Sequence, residues 1–426
     1  MKHILYAIAL TMLIFTSCSH ESDIVVKTRL LLDNGLRPDD GEMAIFNGKI
    51  IFVGEKARPY ISSQTRVIIY EDGLLMPGFV NCAVSGITSC KTANPTSTEI
   101  ITMQKHLASN GVVMYEESNG RELHALYMDM DRKGELLMPV FAEYELYHDE
   151  DFLAELDNLI ENVIKNKSEF FQFNAIKIVL DGKIEDRAAL LTMPYCDQKG
   201  FFGKRIWSSE ELDKIIERAN GAGIGVHAYC VGDGATHDFI QAIQRSGKSN
   251  TNNSIIGLEL VCEKDLSLMA ELNIGAVVNP WEWQNNEMVR EKIVPMLGEE
   301  RAGKIFPLNS LLKNGINVAF GSCFPTPFDM QYNFVIYNMV YRNDPFVMET
   351  MIGPEEKIDI TRALQIMSLG GFKQLGLEDG NGILKKSMNA NLVLSNQDLI
   401  EAERLGILNS HLICTISNGK IIFKGR

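Results

Sequence analysis

The stretch SSEELDKIIERANGAGIGVHAYC, residues 208–230, sets the pattern for the chain. Ser208 followed by Glu211 is a capping box, in which hydroxyl and carboxylate satisfy the first orphan N–H groups of a helix. Leu212, Ile215, Ile216 and Ala219 then share one face at helical spacing, and Gly221 closes the helix. Residues 223–230 follow as a short run that is apolar on both faces, as a strand covered by helices should be. A helix that stops and feeds directly into a buried strand is half of a repeating α/β unit.

Working outward, seven further runs of this kind occur at 74–81, 111–117, 136–144, 175–180, 255–261, 274–279 and 317–321. Amphipathic stretches separate them, and the one ending at Asn110 stops at Gly111 in the same way. Eight strands with helices between them predict an α/β fold of the TIM-type (β/α)8 barrel class, with a doubly wound open sheet as the alternative. The two ends of the chain read differently. Residues 24–32, 44–53, 67–70 and 74–76 near the start, and 391–394, 413–417 and 421–423 near the end, are short strands. Each end has its own tight Asn-Gly turn, Asn47-Gly48 and Asn418-Gly419. The economical arrangement packs both termini together as one small β-sandwich domain. The expected boundaries are 24–75 plus 385–426 for that domain and 76–384 for the barrel.

Length and composition agree. The chain has 426 residues, 46% hydrophobic and 23% charged, which excludes collagen-like and disordered classes. Lys+Arg 41 minus Asp+Glu 55 gives a net charge of -14, which argues against nucleic acid or an anionic membrane surface as a partner. Eight Cys without a CxxC pair support neither a zinc ribbon nor a disulfide scaffold. Residues 4–15 are apolar but too short for a bilayer core of ~30 Å, which needs about 20 helical residues. They suit the apolar region of a signal peptide. Phe15-Thr16-Ser17-Cys18 resembles a bacterial lipobox. That resemblance implies a signal peptide at 1–17, acylation of Cys18 and a tether at 18–23. The expected location is the bacterial cell envelope, periplasmic or on the outer-membrane surface, with membrane contact through the lipid anchor only.

A family resemblance runs over nearly all of residues 24–426. The segment from Glu42 to Gly54, with its Asn-Gly-Lys turn, followed by Met76-Pro77-Gly78-Phe79, resembles the opening of the amidohydrolase superfamily. Residues 175–182 with Arg187 behind them, Val226-His227-Ala228 with Gly232-Asp233, and Gly321-Ser322 with Phe324-Pro325 resemble its fourth, fifth and eighth barrel strands. The likeness is to the branch containing N-substituted formamide deformylases. It implies a barrel with a terminal β domain and descent from metal-dependent hydrolases of C–N bonds other than peptide bonds. In such enzymes a divalent metal activates water and polarises the scissile carbonyl.

The ligand positions depart from that pattern. Where the family has His-x-His on strand one, this chain has Ala83-Val84-Ser85. Strand six, 255–261, has no His, and strand eight reads Gly321-Ser322-Cys323 instead of Gly-Ser-Asp. Two matching positions remain as candidate metal ligands, Lys177 and His227. Lys177 equally suits a pair with a buried acid such as Glu116 or Glu145, and His227 a hydrogen-bonded core histidine. Two extra residues separate His227 from Gly232 relative to the family's usual spacing.

Other candidates are Cys323 as a nucleophile with His227 as base, and Asp233 as an acid–base group. Asp233 and Asp181 equally suit loop shaping, since Asp181-Gly182 is a turn dipeptide. Cys82 and Cys323 end neighbouring strands and could form a disulfide, join His227 in a soft metal site, or simply be buried thiols, as could Cys230. Glu116, Glu145 and Glu259 could form a paired-carboxylate site. Gly221-Ala-Gly-Ile-Gly225 mimics a dinucleotide fingerprint but precedes a strand rather than following one. Trp281, Trp283, Tyr144 and Phe328 could offer stacking surfaces.

The missing ligand set favours a catalytically degenerate protein that binds a small molecule or serves as a scaffold, with no firm cofactor. Enzymatic activity stays open. The alternative is a rebuilt mononuclear centre holding a divalent metal, such as zinc, on Lys177, His227 and a new Cys or Glu ligand. A third reading is metal-free chemistry at Cys323 or the glutamates.

Overall fold

The computed structural model describes residues 21–425, apart from 33–36, 86–94, 119–122, 166–167, 248–250, 285–286, 288, 324–330, 344 and 346–352. Its first strands are β1 (Ile24–Leu32), β2 (Arg37–Phe46), β3 (Lys49–Gly54) and β4 (Arg66–Pro77). Asn47 and Gly48 turn β2 into β3 with φ of 46° and 74°. Both lie in the left-handed region, as a type I′ turn requires.

The barrel strands are β5 (Phe79–Val84), β6 (Val112–Glu117), β7 (Val140–Glu145), β8 (Phe171–Val179), β9 (Gly225–Cys230), β10 (Ser254–Gly257), β11 (Gly275–Val278) and β12 (Val318–Phe320). They are hydrogen-bonded in sequence order, each parallel to the next. The backbone N–H groups of Ser322 and Cys323 donate to the carbonyl of Ala83 at 3.2 and 2.7 Å, which brings the last strand back to the first. Gly321 sits at this seam, where a Cβ would lie 2.7 Å from the Cβ of Ala83. Only glycine allows that approach.

The closing strands β13 (Leu392–Ser395), β14 (Leu412–Ser417) and β15 (Lys420–Lys424) return to the first sheet. The order is β15-β14-β13-β4-β1-β2-β3, one continuous seven-stranded sheet in place of two stacked ones. It curls until its two hairpin turns meet: a Cβ on Gly419 would lie 2.6 Å from the Cα of Gly48. The inner face gathers Val26, Met43, Ile45, Leu392 and Ile416 into one buried cluster. β4 runs through Pro77, two residues past the expected boundary at 75. Leu74–Pro77 pairs with β13 rather than opening the barrel, so the first barrel strand starts at Phe79, not at 74. The apolar run is continuous across the junction, so hydropathy carries no mark of the change of sheet.

Helix α1 (Ser97–Ser109) ends before Gly111, at φ 81°. The helix Ser209–Gly221 makes both halves of the expected capping box. Its left-handed residue is Gly223, at φ 78°, two positions beyond the expected stop at Gly221. Inside the barrel, Val80, Met114, Phe141, Ile256 and Val277 form an apolar cluster with Phe372 and Leu375. Phe372 belongs to a helical segment, residues 360–374, and Leu375 caps it; together they close one end of the barrel. Burying each large side chain there contributes about 1.5–3 kcal/mol.

Candidate functional site

Strand alternation sets which side chains enter the barrel. On β8 and β9, Ile176, Ile178, Val226 and Ala228 pack outward in the main core. That leaves Lys177, His227 and Tyr229 facing inward. The register pairs Glu145 with Lys177 and Lys177 with His227. Glu143, two residues before Glu145, shares its face, and Glu116 enters from β6.

Glu116, Glu143 and His227 meet with no exposed side-chain surface on Glu116 or His227 and almost none on Glu143. His227 Nδ1 lies 2.5 Å from Glu143 Oε1 and 3.5 Å from Glu116 Oε1. His227 Nε2 lies 3.1 Å from the carbonyl of Asn252, with the Gln374 amide beside it at 3.2 Å. A carbonyl only accepts, so Nε2 carries a proton. Glu143 Oε2 accepts from Ser118 Oγ at 2.6 Å, and Glu116 Oε1 accepts from Asn174 Nδ2 at 2.7 Å. Among the described residues, Glu116 Oε2 has no hydrogen-bond partner. Lys177 donates to the Ser118 carbonyl at 2.8 Å and lies 3.5 Å from Glu145 Oε2.

Burial pushes the Glu116 carboxyl up to about 8; the nearby Glu143 adds to this, while His227 and Lys177 oppose it. Burial disfavours the His227 imidazolium, but Glu116 and the hydrogen bond to Glu143 outweigh it and lift His227 to about 9. Burial and proximity thus tie the titrations of Glu116 and His227 to each other, each raised above its ordinary value. Among the described residues, one ligand atom from each of Glu116, Glu143 and His227 lies within 4.8 Å of the others, close enough to surround a cation.

His227 is the third residue of β9. Its partners lie toward the closed end: Asn252 precedes β10, and Gln374 sits on the segment that seals the barrel. Tyr229, two residues on and on the same face, lines the mouth instead. His227 thus lies one inward step below the mouth.

The mouth itself is a narrow pocket lined by Ala83, Tyr229, Glu259, Asn279, Trp283 and Cys323, among others. Trp283 stacks on Phe306 with ring centroids 5.0 Å apart and planes at 24°. The Arg342 guanidinium lies 5.1 Å from the Trp283 ring, and burial lowers it to about 10. Phe306 and Cys323 hold left-handed backbone, φ 57° and 48°. Such conformations cost about 1–3 kcal/mol in bulky residues and cluster at sites and clamps.

The other expected residues fall out as follows. Cys323 reaches the mouth, but the nitrogens of His227 are engaged elsewhere, so the two are not joined as nucleophile and base. Cys82 is a reduced thiol facing the Gly371 carbonyl at 3.8 Å, and Cys323 is likewise reduced; no disulfide links them. Cys230 packs in the apolar core, and burial pushes its thiol up. Asp233 opens the helix Asp233–Ser246 and accepts from the Thr192 N–H at 3.0 Å and from its hydroxyl. Asp181 accepts from Leu190, Val231 and Gly232 N–H groups at 2.9, 2.8 and 2.9 Å, and burial raises it to about 7. Both aspartates tie loops. Glu116, Glu145 and Glu259 do not converge: Glu145 meets Lys177, and Glu259 lines the mouth. Tyr144 stacks on Phe173 and Trp281 packs edge-on against Phe334. Phe328 and Cys18 lie outside the described residues. Glu143, the partner sequence reasoning missed, is signalled by alternation: Phe141, Glu143 and Glu145 share one face of β7.

The profile of the Amidohydrolase family matches residues 92–423. The chain belongs to the Amidohydrolase family. A Bacillus subtilis protein named "Putative amidohydrolase YtcJ" is 23% identical over 278 residues, 62% of this chain and 50% of that one. Protein LONG AFTER FAR-RED 3 of Arabidopsis thaliana is 24% identical over 232 residues, 53% of this chain and 39% of its own length. This amidohydrolase-family chain thus matches half or less of the length of these relatives. Among solved structures, an uncharacterized metal-dependent hydrolase from Pyrococcus horikoshii superposes with TM-score 0.74 at 17% identity, covering 89% of this chain and 99% of that one. A zinc-bound adenosine deaminase from Xanthomonas campestris gives TM-score 0.66 at 13% identity, covering 94% and 93%. At such identities the likeness is one of fold.

Proposed function

We propose that this amidohydrolase-family chain is catalytically degenerate at the barrel mouth and acts as a binding protein for a small molecule. The observation that carries the reading is the position of His227. The fifth-strand histidine, which the family resemblance would set against a hydrolytic ion at the mouth, is held below it with both nitrogens engaged. At the mouth itself Ala83 offers no donor atom and Tyr229 is a phenol. Ser85 is a weak ligand for a transition metal.

The buried trio does not fit a hydrolytic metal either. His227 Nδ1 already meets Glu143 Oε1 and its Nε2 faces the Asn252 carbonyl, so both ring nitrogens are engaged within the protein. A hydrolytic ion also needs an open position for water and substrate, and these carboxyls have no exposed surface.

The reading includes descent from hydrolases of C–N bonds other than peptide bonds, and attachment to a bacterial envelope membrane through Cys18. Two experiments test it. Zinc-supplemented protein incubated with N-acyl amino acids and cyclic amides should give no turnover above buffer. Turnover that His227→Ala abolishes would establish the rebuilt metal centre instead. Metabolic labelling with a fatty acid should mark the parent chain and not Cys18→Ala; equal labelling contradicts the anchor.

A further inference from the structure

Ser22 is the first buried residue of the fold, and it lies four residues after Cys18. Its N–H and its hydroxyl both donate to the Tyr60 carbonyl, at 3.1 and 2.7 Å. Asp23 donates its N–H to the Ile45 carbonyl at 2.7 Å and accepts from the Arg66 N–H at 3.0 Å. Its carboxylate accepts from the Asn47 N–H at 2.8 Å. Four fully extended residues reach at most ~14 Å. A lipid on Cys18 therefore holds this end of the terminal domain close against the headgroups.

The surface there suits that neighbour. Phe46, Ile61 and Val67 each adjoin one of these hydrogen-bond partners in sequence, and they are 39%, 36% and 39% exposed. Arg66 is exposed beside Val67, and Lys49 and Lys420 are exposed where the two hairpin turns meet at Gly48 and Gly419. Among the described residues none of these three cations forms an ion pair. The acidic groups nearby are Glu21 and Asp23. The net charge of the whole chain hides this asymmetry. Residues 24–75 and 385–426 carry 13 Lys and Arg against 10 Asp and Glu, whereas residues 76–384 carry 27 against 43. The negative excess lies in the barrel, not in the domain that carries the anchor.

We infer that this end of the terminal domain docks on an anionic phospholipid surface. Phe46, Ile61 and Val67 sit among the headgroups, where exposed apolar side chains gain most by leaving water. Lys49, Arg66 and Lys420 lie against the lipid phosphates. One lipid chain alone holds a protein only marginally, and a basic patch is a second signal that makes attachment stable. The inference rests on the Cys18 anchor proposed above and adds a protein contact to it.

The test uses the full mature chain, acylated and reconstituted on vesicles of equal parts phosphatidylcholine and phosphatidylglycerol. Their acyl chains are brominated, which quenches tryptophan at short range. Relative to the parent, Ile61→Trp should add strongly quenched fluorescence. Met193→Trp should add unquenched fluorescence, since Met193 is 60% exposed in the long segment after β8, on the barrel. Adding Lys49→Glu, Arg66→Glu and Lys420→Glu to Ile61→Trp should relieve the quenching, because each cation at an anionic surface is worth a factor of about five. Equal quenching at the two positions, no quenching in Ile61→Trp, or quenching that survives the charge reversals overturns the inference. When the protein still floats with the vesicles, those results leave the anchor standing. Protein that does not float sinks the anchor and the docking together. The comparison of Ile61→Trp with Met193→Trp stands whether or not the charge-reversed variant folds.

Discussion

His227 Nδ1 lies 2.5 Å from Glu143 Oε1 inside the barrel, and neither group has appreciable contact with solvent. This ion pair stands at the level below the mouth. Glu143 is the direct partner of the His227 ring, and Glu116 lies beside them, 3.5 Å from the same nitrogen. A buried pair of this kind is weak evidence for net stability, but breaking it strands a charge.

Removing one partner should therefore cost far more than an average core change. His227→Ala leaves Glu143 beside Glu116 with no cation against Nδ1's former position. The expected loss is about 3–5 kcal/mol of folding stability, read as a lower urea midpoint. A loss within about 0.5 kcal/mol, the range of surface substitutions, would mean the pair is not formed.

The same cluster sets a pH dependence. His227 rises from its ordinary 6.5 to about 9 in the folded chain. Its stabilising contribution is complete below the unfolded value and is lost as pH climbs through about 9. Glu116 rises from 4.5 to about 8, so the folded state keeps a proton that the unfolded chain releases. That also lowers stability with rising pH, between the two values. Asp181, raised to about 7, has the same sign. Stability should fall from about pH 5 to about pH 9. Glu116→Gln mimics the neutral carboxyl, so it should flatten the slope and raise stability above the parent at the alkaline end. Denaturant titrations across that range check both; a parent curve that rises with pH contradicts the assignment.

The two terminal hairpins meet at Gly48 and Gly419. Gly419→Ala meets two penalties, a left-handed φ of 75° and a Cβ 2.6 Å from the Gly48 Cα. The expected cost is about 1–2 kcal/mol for the backbone alone, with more from the clash. Thermal melts of the full chain test this, and an unchanged midpoint would show that the two ends do not pack as described.

Much of this architecture is legible in the sequence because its signals are local. The Asn47-Gly48 and Asn418-Gly419 turns, the Ser208/Glu211 capping box and the buried strand runs each rest on neighbours within a few residues. The change of sheet at Pro77-Gly78 is not legible, since Leu74–Pro77 and Phe79–Val84 form one apolar run whose partners lie far along the chain. At the site, the residue types at 83 and 85, Ala and Ser, can be read directly. The depth of His227 cannot: it depends on where β9 begins relative to Asn252 and Gln374. Glu143 was within reach, because strand alternation puts it on the face of Glu145, but its meeting with His227 depends on the register across β8.

The proposed reading holds that His227 is engaged by Glu143 and the Asn252 carbonyl and not by a cation. The most direct test is elemental analysis of the purified mature chain after exposure to zinc and removal of loosely held ions by gel filtration. The predicted result is well below one metal per chain, with His227→Ala no different. One tightly held equivalent per chain, lost in His227→Ala, would contradict it.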